Sequence, residues 1–378
     1  MHFSKRMIHR PNVSKFLTSA FRAWVDPLDA PLTTALIAIG VISIVSMAGI
    51  VGTESTFFTR HVLFWLFGLG VMASLSWVNW RYLKNHSAPV LLLYGIGVSL
   101  LLIALVFPAV RGSSAWIAIG PLTFEPSELM KIALVVLMAK YLSQRHVYLH
   151  DIRYIIGAGV YVAIPLGLIL LQPDLGSAVI LASVWFIMLL AAGIRRDHLF
   201  LFGAFMAVGA YTAWLFALAS YQKERILAFI NPYADPQGYG YNIIQSKIAL
   251  GSGGLFGKGW GEGTQATLGF LPEAHNDFIF SAIGEQFGLV GLVVLLVLIS
   301  IVLLRILSIG ERAQHNFVRL FTVGFAAVIG MHVFIGAGVN VGLLPVTGIP
   351  LTFLSYGGSH MLSMMVGLGL VQSMKRYS

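Results

Sequence analysis

The stretch LFTVGFAAVIGMHVFIGAGVNVGLLPVTGIPLTFLSYGGSHMLSMMVGLGLVQSM, residues 320–374, contains no Asp, Glu, Lys or Arg. A bilayer core needs about 20 apolar residues per helix, so this stretch is too long for one crossing. Pro345, Pro350 and the pair Gly357–Gly358 interrupt it, and Pro and Gly indicate turns in such positions. The stretch therefore predicts two membrane-spanning helices joined by a turn-rich loop.

The same apolar character extends over the whole chain of 378 residues. Hydrophobic residues make up 57% of it and charged residues only 10%, whereas soluble domains carry about 25% charged residues. Windows 30–53, 85–110 and 154–173 also lack Asp, Glu, Lys and Arg. We predict an all-α polytopic membrane protein, a single domain over residues 1–378 with about ten transmembrane helices, at roughly 32–51, 61–78, 88–107, 128–144, 154–171, 175–194, 198–219, 278–304, 317–340 and 352–374.

Lysine and arginine are distributed unevenly between the two sides of this predicted bundle. With the N-terminus in the cytoplasm, seventeen of the 24 Lys and Arg residues fall in cytoplasmic segments, among them the basic N-terminus 1–30. The positive-inside rule therefore predicts cytoplasmic N- and C-termini. The net charge of +9 accordingly indicates a lipid surface and no nucleic acid. Cysteine is absent, which excludes disulfides, thiolate metal sites and a cysteine nucleophile.

One sizeable extramembrane segment, residues 220–277 between spans seven and eight, falls on the outer side. It has a helical pattern near Tyr241–Leu250, followed by a glycine-dense run from Gly251 to Gly263. The run lacks the Gly-Lys-Ser/Thr ending of a P-loop. Flexible glycine backbone with a lysine such as Lys258 or Lys247 can still approach a diphosphate closely. A solvated basic face is the alternative interpretation of these lysines.

Ionisable residues at membrane depth are costly and are functional candidates for that reason. Glu128 and Lys131 lie three residues apart at the start of the fourth span, so they share a helix face. They either form an ion pair with each other or belong to a functional site. Asp174 precedes an apolar run and is either a helix cap or a site residue. Glu285 either joins a polar cluster in the bundle or serves a site. Asp277, just before the eighth span, is either a cap or a catalytic acid.

Eight short motifs follow one another in order along the chain. From the loop between the third and fourth spans to the last span, they are PSE with Lys131, QPDLG, YNIIQSKIA, GSGG, GKGW, GTQ, FLPEAHNDFIF and SYGGS, beginning at Pro126, Gln172, Tyr241, Gly251, Gly257, Gly263, Phe270 and Ser355. Together these motifs resemble those of the RodA/FtsW/SpoVE family of bacterial membrane proteins. The sequences of these motifs are more similar to those of the elongation branch of the family than to those of the division branch. Two residues depart from the family pattern: Ala115 stands where Arg is usual, which leaves substrate contacts of that outer loop open, and Asn276 stands where Thr is usual.

The resemblance implies a peptidoglycan glycosyltransferase in the bacterial inner (cytoplasmic) membrane, with 220–277 as a large periplasmic loop. It implies that lipid II is the substrate, that Asp277 is the catalytic base, and that a class B penicillin-binding transpeptidase and other membrane proteins of the elongation complex are partners. The predicted substrate-binding residues are Glu128, Lys131, Lys258, Lys247, Gln265, His275 and Asp174. We assign no metal ligands and no definite cofactor. Whether the protein uses a divalent cation such as Mg²⁺ or Mn²⁺ stays an open question at this point.

The chemistry also follows from the substrate class. A sugar that leaves as a lipid diphosphate needs charge stabilisation and no acid, while the attacking hydroxyl must lose a proton. One carboxylate base with nearby cations therefore suffices, unlike the two carboxylates of glycosidases. Two other classes of function stay open: a lipid II flippase, and a non-catalytic membrane scaffold for wall-synthesis enzymes. A flippase is expected to need polar groups through the full depth of the bundle, whereas the predicted acids lie near its outer face.

Overall fold

The computed structural model describes residues 28–108, 113–120, 122–145, 152–194 and 220–377, with scattered positions between 197 and 215. Most of the predicted seventh span, 198–219, lies outside the described residues. So does the predicted basic N-terminus up to residue 27.

The described part of the chain is almost entirely helical. Six of its helices, those that begin at Ala30, Thr56, Ile152, Leu175, Ile279 and Asn316, are long and apolar enough to cross a membrane, and the protein is an all-α, multi-pass membrane protein. In chain order the helices are α1 Ala30–Val51, α2 Thr56–Leu75, α3 Arg81–Asn85, α4 Ala88–Ala104, α5 Pro126–Arg145, α6 Ile152–Leu171, α7 Leu175–Ala192, α8 Ser220–Ile230, α9 Tyr239–Gly253, α10 Thr264–Thr267, α11 Ile279–Arg312, α12 Asn316–Asn340 and α13 Gly358–Arg376.

Each predicted span within the described residues coincides with a helix. The prediction of two helices within residues 320–374 is confirmed by α12 and α13. The last helix begins at Gly358, six residues after the predicted start, because residues 351–357 form turns that precede it. The helical pattern near Tyr241 is confirmed by α9. A short antiparallel hairpin, β1 Ile117–Ile119 and β2 Leu122–Phe124, was not predicted.

Local capping explains where several helices begin. The Asp29 carboxylate accepts the Leu32 N–H at 3.0 Å at the start of α1, and Ser55 caps α2 in the same way. Asp174 accepts the Ser177 N–H at 3.0 Å at the start of α7, so its predicted capping role is confirmed. A capping oxygen satisfies one of the N–H groups that a helix start leaves unpaired.

Contacts between helix ends define the two faces of the bundle. At one end, which we call the Asp277 end, His275 contacts Phe57 and the Ser359 hydroxyl accepts the Glu125 N–H. At the opposite end, which we call the Arg305 end, Arg305 binds the buried Asp29 carboxylate through two hydrogen bonds of 3.0 and 2.6 Å. The second Asp29 oxygen also lies 3.5 Å from Lys375 Nζ. The first, eighth and last spans are therefore joined at the Arg305 end.

Helix α11 is interrupted within the bundle at Gly288, where φ is 66° and ψ is −167°. The Lys258 and Gly259 N–H groups donate to the Glu285 and Gln286 carbonyls at 2.9 and 3.1 Å. In return, the Leu289 N–H donates to Gly254 O at 2.9 Å. A Cβ on Gly288 would collide with the backbone of this glycine-rich segment. The segment thus satisfies the backbone groups that the helix break exposes, as irregular backbone at membrane depth requires.

Candidate active site

Glu128 and Lys131 lie in the first two turns of α5 and form a buried ion pair. Lys131 Nζ lies 2.8 Å from Glu128 Oε1, and the two side chains are 1% and 0% exposed. Their spacing of one helical turn places both on one face, so the predicted pairing is confirmed. Breaking such a pair leaves an uncompensated buried charge, and the two residues therefore act as a unit.

Two buried histidines complete this pair into a cluster of four residues. Lys131 Nζ lies 3.2 Å from His332 Nε2, and His332 Nδ1 lies 3.0 Å from the Pro350 carbonyl. Because the ammonium can only donate, His332 accepts at Nε2 and donates from Nδ1. His360 Nδ1 lies 2.9 Å from Glu128 Oε2. Sequence reasoning missed both histidines, although two histidines in a stretch without charges are a signal of buried polar contacts.

His360 Nε2 is buried and has no hydrogen-bond partner within the described part of the chain. Because a carboxylate oxygen accepts, Nδ1 carries the proton in the contact with Glu128, and Nε2 is the ring nitrogen left without a partner. A buried polar atom without a partner in a native structure is commonly a functional position. We call Glu128, Lys131, His332 and His360 the buried cluster.

The buried cluster contains a potential set of metal ligands. Among the described residues, Glu128, His332 and His360 offer three ligand atoms within 4.8 Å of one another. However, Lys131 Nζ already contacts both Glu128 and His332, so a cation occupies that position. Mg²⁺ and Mn²⁺ prefer oxygen ligands, whereas two of these three ligands are imidazoles. The cluster therefore does not fit the divalent cation that the sequence left open.

A second acidic group lies beside the buried cluster, just ahead of α5. Ser127 Oγ donates to Glu125 Oε1 at 2.6 Å and lies 3.2 Å from Ser177 Oγ. Burial and the neighbouring Glu128 and Asp174 carboxylates raise the pKa of Glu125 to about 8, against the opposing effects of Lys131 and Ser127. Glu125 therefore favours its protonated form more than an exposed glutamate does.

The segment between α12 and α13, residues 341–357, connects the buried cluster with the Asp277 segment; we call it the return loop. On one side its Pro350 carbonyl accepts from His332. On the other side Ser355 Oγ donates to Asn276 O at 2.7 Å, and the Tyr356 N–H donates to His275 O at 3.0 Å. Ile349 also packs closely against Gly176, two residues after Asp174. The return loop was predicted as a turn-rich connection, but its contacts were not.

Asp277 lies on the partly exposed rim formed by this loop. A Cβ placed on Gly348 would lie 4.0 Å from Asp277 Oδ2, and Asn340 Nδ2 donates to the Asp277 carbonyl at 2.7 Å. The capping position of α11 is occupied by Phe278, which makes no side-chain cap. The capping interpretation of Asp277 is therefore wrong. His275 nearby packs on Phe57 with ring centroids 4.9 Å apart.

The predicted residues of the glycine-rich segment gather around a different acid, Glu285. Its buried carboxylate lies 2.8 Å from Lys258 Nζ and accepts the Gln265 N–H at 3.0 Å. Glu285 thus forms the polar cluster within the bundle that the sequence allowed. Lys258 is held by a protein carboxylate, while the Gln265 Oε1 is buried with no partner among the described residues. Lys247 is exposed and its ammonium approaches Gly342, at the start of the return loop.

The predicted site residues therefore fall into two groups. Asp277, His275, Glu128, Lys131, Lys247 and Asp174 border the return loop or the elements packed against it, whereas Lys258 and Gln265 surround Glu285. The return loop connects a partly exposed carboxylate, Asp277, with the buried cluster, and both lie toward one end of the bundle. Within the part of the chain that the structure describes, these predicted residues lie nearer the Asp277 end than the middle of the bundle, where transporters commonly bind their substrates.

Comparison with known proteins identifies the family. The chain belongs to the FtsW/RodA/SpoVE family of cell cycle proteins, whose family model matches residues 28–378. It is 36% identical over 347 residues to the peptidoglycan glycosyltransferase MrdB of Escherichia coli strain K12, covering 92% of this chain and 93% of that protein. It is 34% identical over 363 residues to the stage V sporulation protein E of Bacillus subtilis strain 168, covering 93% and 97%.

Solved structures show the same fold. A chain from a structure described as the coordination of polymerisation and crosslinking by a peptidoglycan synthase complex superposes with a TM-score of 0.78 at 31% identity, covering 92% of this chain and 98% of that one. The rod shape determining protein RodA of Thermus thermophilus superposes with a TM-score of 0.68 at 29% identity, covering 92% and 97%.

Proposed function

We propose that this chain is a peptidoglycan glycosyltransferase that polymerises lipid II into glycan strands for cell elongation. Its similarity to MrdB extends over 92% of the chain, which supports the activity. The observation that carries the mechanism is the position of Asp277, a partly exposed carboxylate that borders the return loop and leaves the helix cap to Phe278.

The reaction is a single displacement at the anomeric carbon of the donor sugar. The acceptor hydroxyl oxygen of N-acetylglucosamine forms a bond to that carbon, and the bond from the carbon to the diphosphate oxygen breaks. The electron pair leaves with the lipid diphosphate, and the hydroxyl proton passes to the Asp277 carboxylate. A direct attack of this kind inverts the configuration. General-base assistance of this type contributes about 10²–10⁴-fold to the rate.

The cations near the return loop are suited to the charge of the leaving group. Lys247 is exposed beside the start of the loop, and flexible glycine backbone lies next to Lys258. Lys258 serves the diphosphate only by sharing its ammonium with Glu285, 2.8 Å away. The buried cluster acts from the opposite side of the return loop, where His332 holds the Pro350 carbonyl. It positions the loop without touching the substrate.

The membrane arrangement that we propose follows from the charge distribution. The Arg305 end faces the cytoplasm of the bacterial inner membrane, together with both termini, because most Lys and Arg residues are predicted on that side. The Asp277 end and the 220–277 loop then face the periplasm, where a class B penicillin-binding transpeptidase would dock. A solved relative is described as part of a peptidoglycan synthase complex, which supports a partner of this kind.

The flippase and scaffold alternatives gain no support from the buried polar groups. The buried cluster, Glu285 and the hydrogen-bonded pair Ser43–His61 lie toward the Asp277 end, whereas buried Asp29 at the Arg305 end is held by Arg305 and Lys375. A path for a lipid headgroup needs polar groups across the bundle as well. A scaffold needs no buried charge cluster at all, since unpaired or imperfectly paired buried charges cost stability.

The test is polymerisation of purified lipid II by this protein, with and without its transpeptidase partner. We expect the partner to raise the rate, and Asp277→Asn to lower it at least 10²-fold while the protein still folds and binds the partner. Glu262→Gln is the matched control, because Glu262 is exposed and its carboxylate forms no hydrogen bond or ion pair with the residues that the structure describes. Glu273 is unsuitable since it accepts from Asn276 at 2.8 Å. Near-normal glycan synthesis by Asp277→Asn would reject the assignment and favour the flippase.

A further inference from the structure

An open cleft of about 530 Å³ lies at the Arg305 end, at the opposite face from Asp277. Three helix ends form it: α3, the last turn of α5 and the first turn of α12. Its lining includes the basic side chains Lys84, Lys140 and His315. The proposed transferase chemistry uses none of these residues.

Both lysines in the cleft lack a carboxylate partner among the described residues. Lys140 is 6% exposed and donates to the carbonyls of Leu83, at 3.0 Å, and of His86. An ammonium has three N–H donors, so one donor of Lys140 remains. Lys84 Nζ lies 3.1 Å from His315 Nδ1, which leaves two donors on Lys84. Since positive charge taken out of water is costly when it is not compensated, this cleft is suited to an anion.

The surroundings of the cleft add to its positive potential. Burial, followed by the charges of Lys84 and Arg81, lowers the pKa of His315, so further positive charge is already unfavourable there. Arg145, in the last turn of α5, stacks on Tyr141 with 4.2 Å between the guanidinium carbon and the ring centroid. An anion in the cleft would relieve the repulsion among these groups.

Exposed aromatic residues indicate the depth of the cleft relative to the bilayer. Trp77, in the turn after α2, and Tyr82, in α3, are 45% and 57% exposed. Trp and Tyr concentrate at the membrane–water interface, at the level of the lipid headgroups. Lys84 lies in the same short helix as Tyr82. The cleft therefore opens at the depth at which phospholipid phosphates lie.

We propose that this cleft binds the phosphate group of an anionic phospholipid, with Lys84 and Lys140 as its cationic donors. Basic pockets between membrane helices on the cytoplasmic side are suited to such headgroups. A free phosphate ion shares this chemistry, but the interfacial depth favours the lipid. A bound headgroup would join the ends of α5 and α12, the helices that carry Lys131 and His332 in their opposite halves. The proposal is independent of the transferase assignment.

The test measures how much phosphatidylglycerol stays bound to the full-length protein and to its variants. Each protein is placed in nanodiscs of phosphatidylcholine mixed with phosphatidylglycerol and is then released and examined by native mass spectrometry. We expect Lys84→Gln to bind it about fivefold more weakly, which corresponds to about 1 kcal/mol for one lysine near an anionic surface. Lys84→Arg should restore binding. Arg312→Gln is the matched control, because Arg312 is exposed at the same end but does not line the cleft.

A second variant and a second probe make the outcome decisive. Gln314→Glu adds a negative charge to an exposed position in the lining and should weaken binding even if Lys84→Gln does not fold. Inorganic phosphate is tested in detergent with the same variants. Equal retention of phosphatidylglycerol by the unmodified protein, Lys84→Gln and Gln314→Glu would overturn the proposal. So would binding of inorganic phosphate without any preference for phosphatidylglycerol over phosphatidylcholine.

Discussion

Removing the cation of the buried cluster is the sharpest test of its role. In Lys131→Met the Glu128 carboxylate, which is 0% exposed, loses its contact of 2.8 Å and keeps only the His360 N–H. Removing one partner of a buried pair costs about 3–5 kcal/mol. At roughly 2 °C per kcal/mol for a large chain, the midpoint of thermal unfolding should fall by about 6–10 °C. Tryptophan fluorescence of the protein in detergent measures that midpoint.

The double variant Glu128→Gln/Lys131→Met separates structure from activity. The glutamine carbonyl can still accept from His360, and no uncompensated charge remains, so most of the lost stability should return. We expect glycan synthesis to stay low, because His332 loses the ammonium that holds it against Pro350. Lys131→Arg keeps a cation and should be milder than Lys131→Met.

Two results would refute this reasoning. An unfolding midpoint of Lys131→Met within about 1 °C of the unmodified protein would show that the pair contributes little. A double variant that is both stable and fully active would reduce the pair to a link between helices, with no part in the reaction. Single variants alone do not distinguish these roles, because each leaves a poorly solvated charge.

Two remaining predictions concern topology and pH. Cysteine is absent from the chain, so a membrane-impermeant thiol reagent should label exposed Gln237→Cys in intact spheroplasts and Arg312→Cys only after lysis; the reverse labelling would overturn the orientation. Burial alone would raise the pKa of Asp29, but hydrogen bonds from Arg305 and Leu32 and the charge of Lys375 outweigh it and lower that pKa below 3.8. The stabilisation from Asp29 is therefore complete above the unfolded-state pKa and is lost as the pH falls through the lower folded-state value. The difference in unfolding midpoint between the unmodified protein and Asp29→Asn should shrink below about pH 4, and an unchanged difference down to pH 3 would contradict the assignment.

Much of the fold was predictable because membrane helices are specified locally. Long runs without charge and the turns at Pro345 and Pro350 indicate spans and breaks directly, and Asp174 is recognisable as a cap. The interruption of α11 at Gly288 was not predictable in the same way. Its position depends on the hydrogen bond that the Gly254 carbonyl accepts from Leu289 and the one that the Lys258 N–H donates to Glu285, and both partners are distant in sequence. The short hairpin at Ile117–Phe124 lacks any pattern long enough to indicate strands.

The candidate site was predictable only where its contacts are local. Glu128 and Lys131 pair across one helical turn, which their spacing indicates. His332 and His360 join them from two other helices, and only the folded bundle brings the four side chains together. Lys258 had two interpretations from sequence, a diphosphate contact or a solvated face. The structure adds a third, since Lys258 pairs with buried Glu285.

The return loop gives the buried cluster a physical connection to the carboxylate at the rim. His332 holds the Pro350 carbonyl at 3.0 Å, and five residues later Ser355 donates to Asn276 O at 2.7 Å, next to Asp277. Packed segments of this kind have few alternative arrangements, so a shift of His332 displaces the loop on both sides. A general base works only within hydrogen-bond reach of its proton. A fully buried ion pair is therefore able to affect proton transfer at Asp277 without contacting the substrate, through the backbone that separates the two acids.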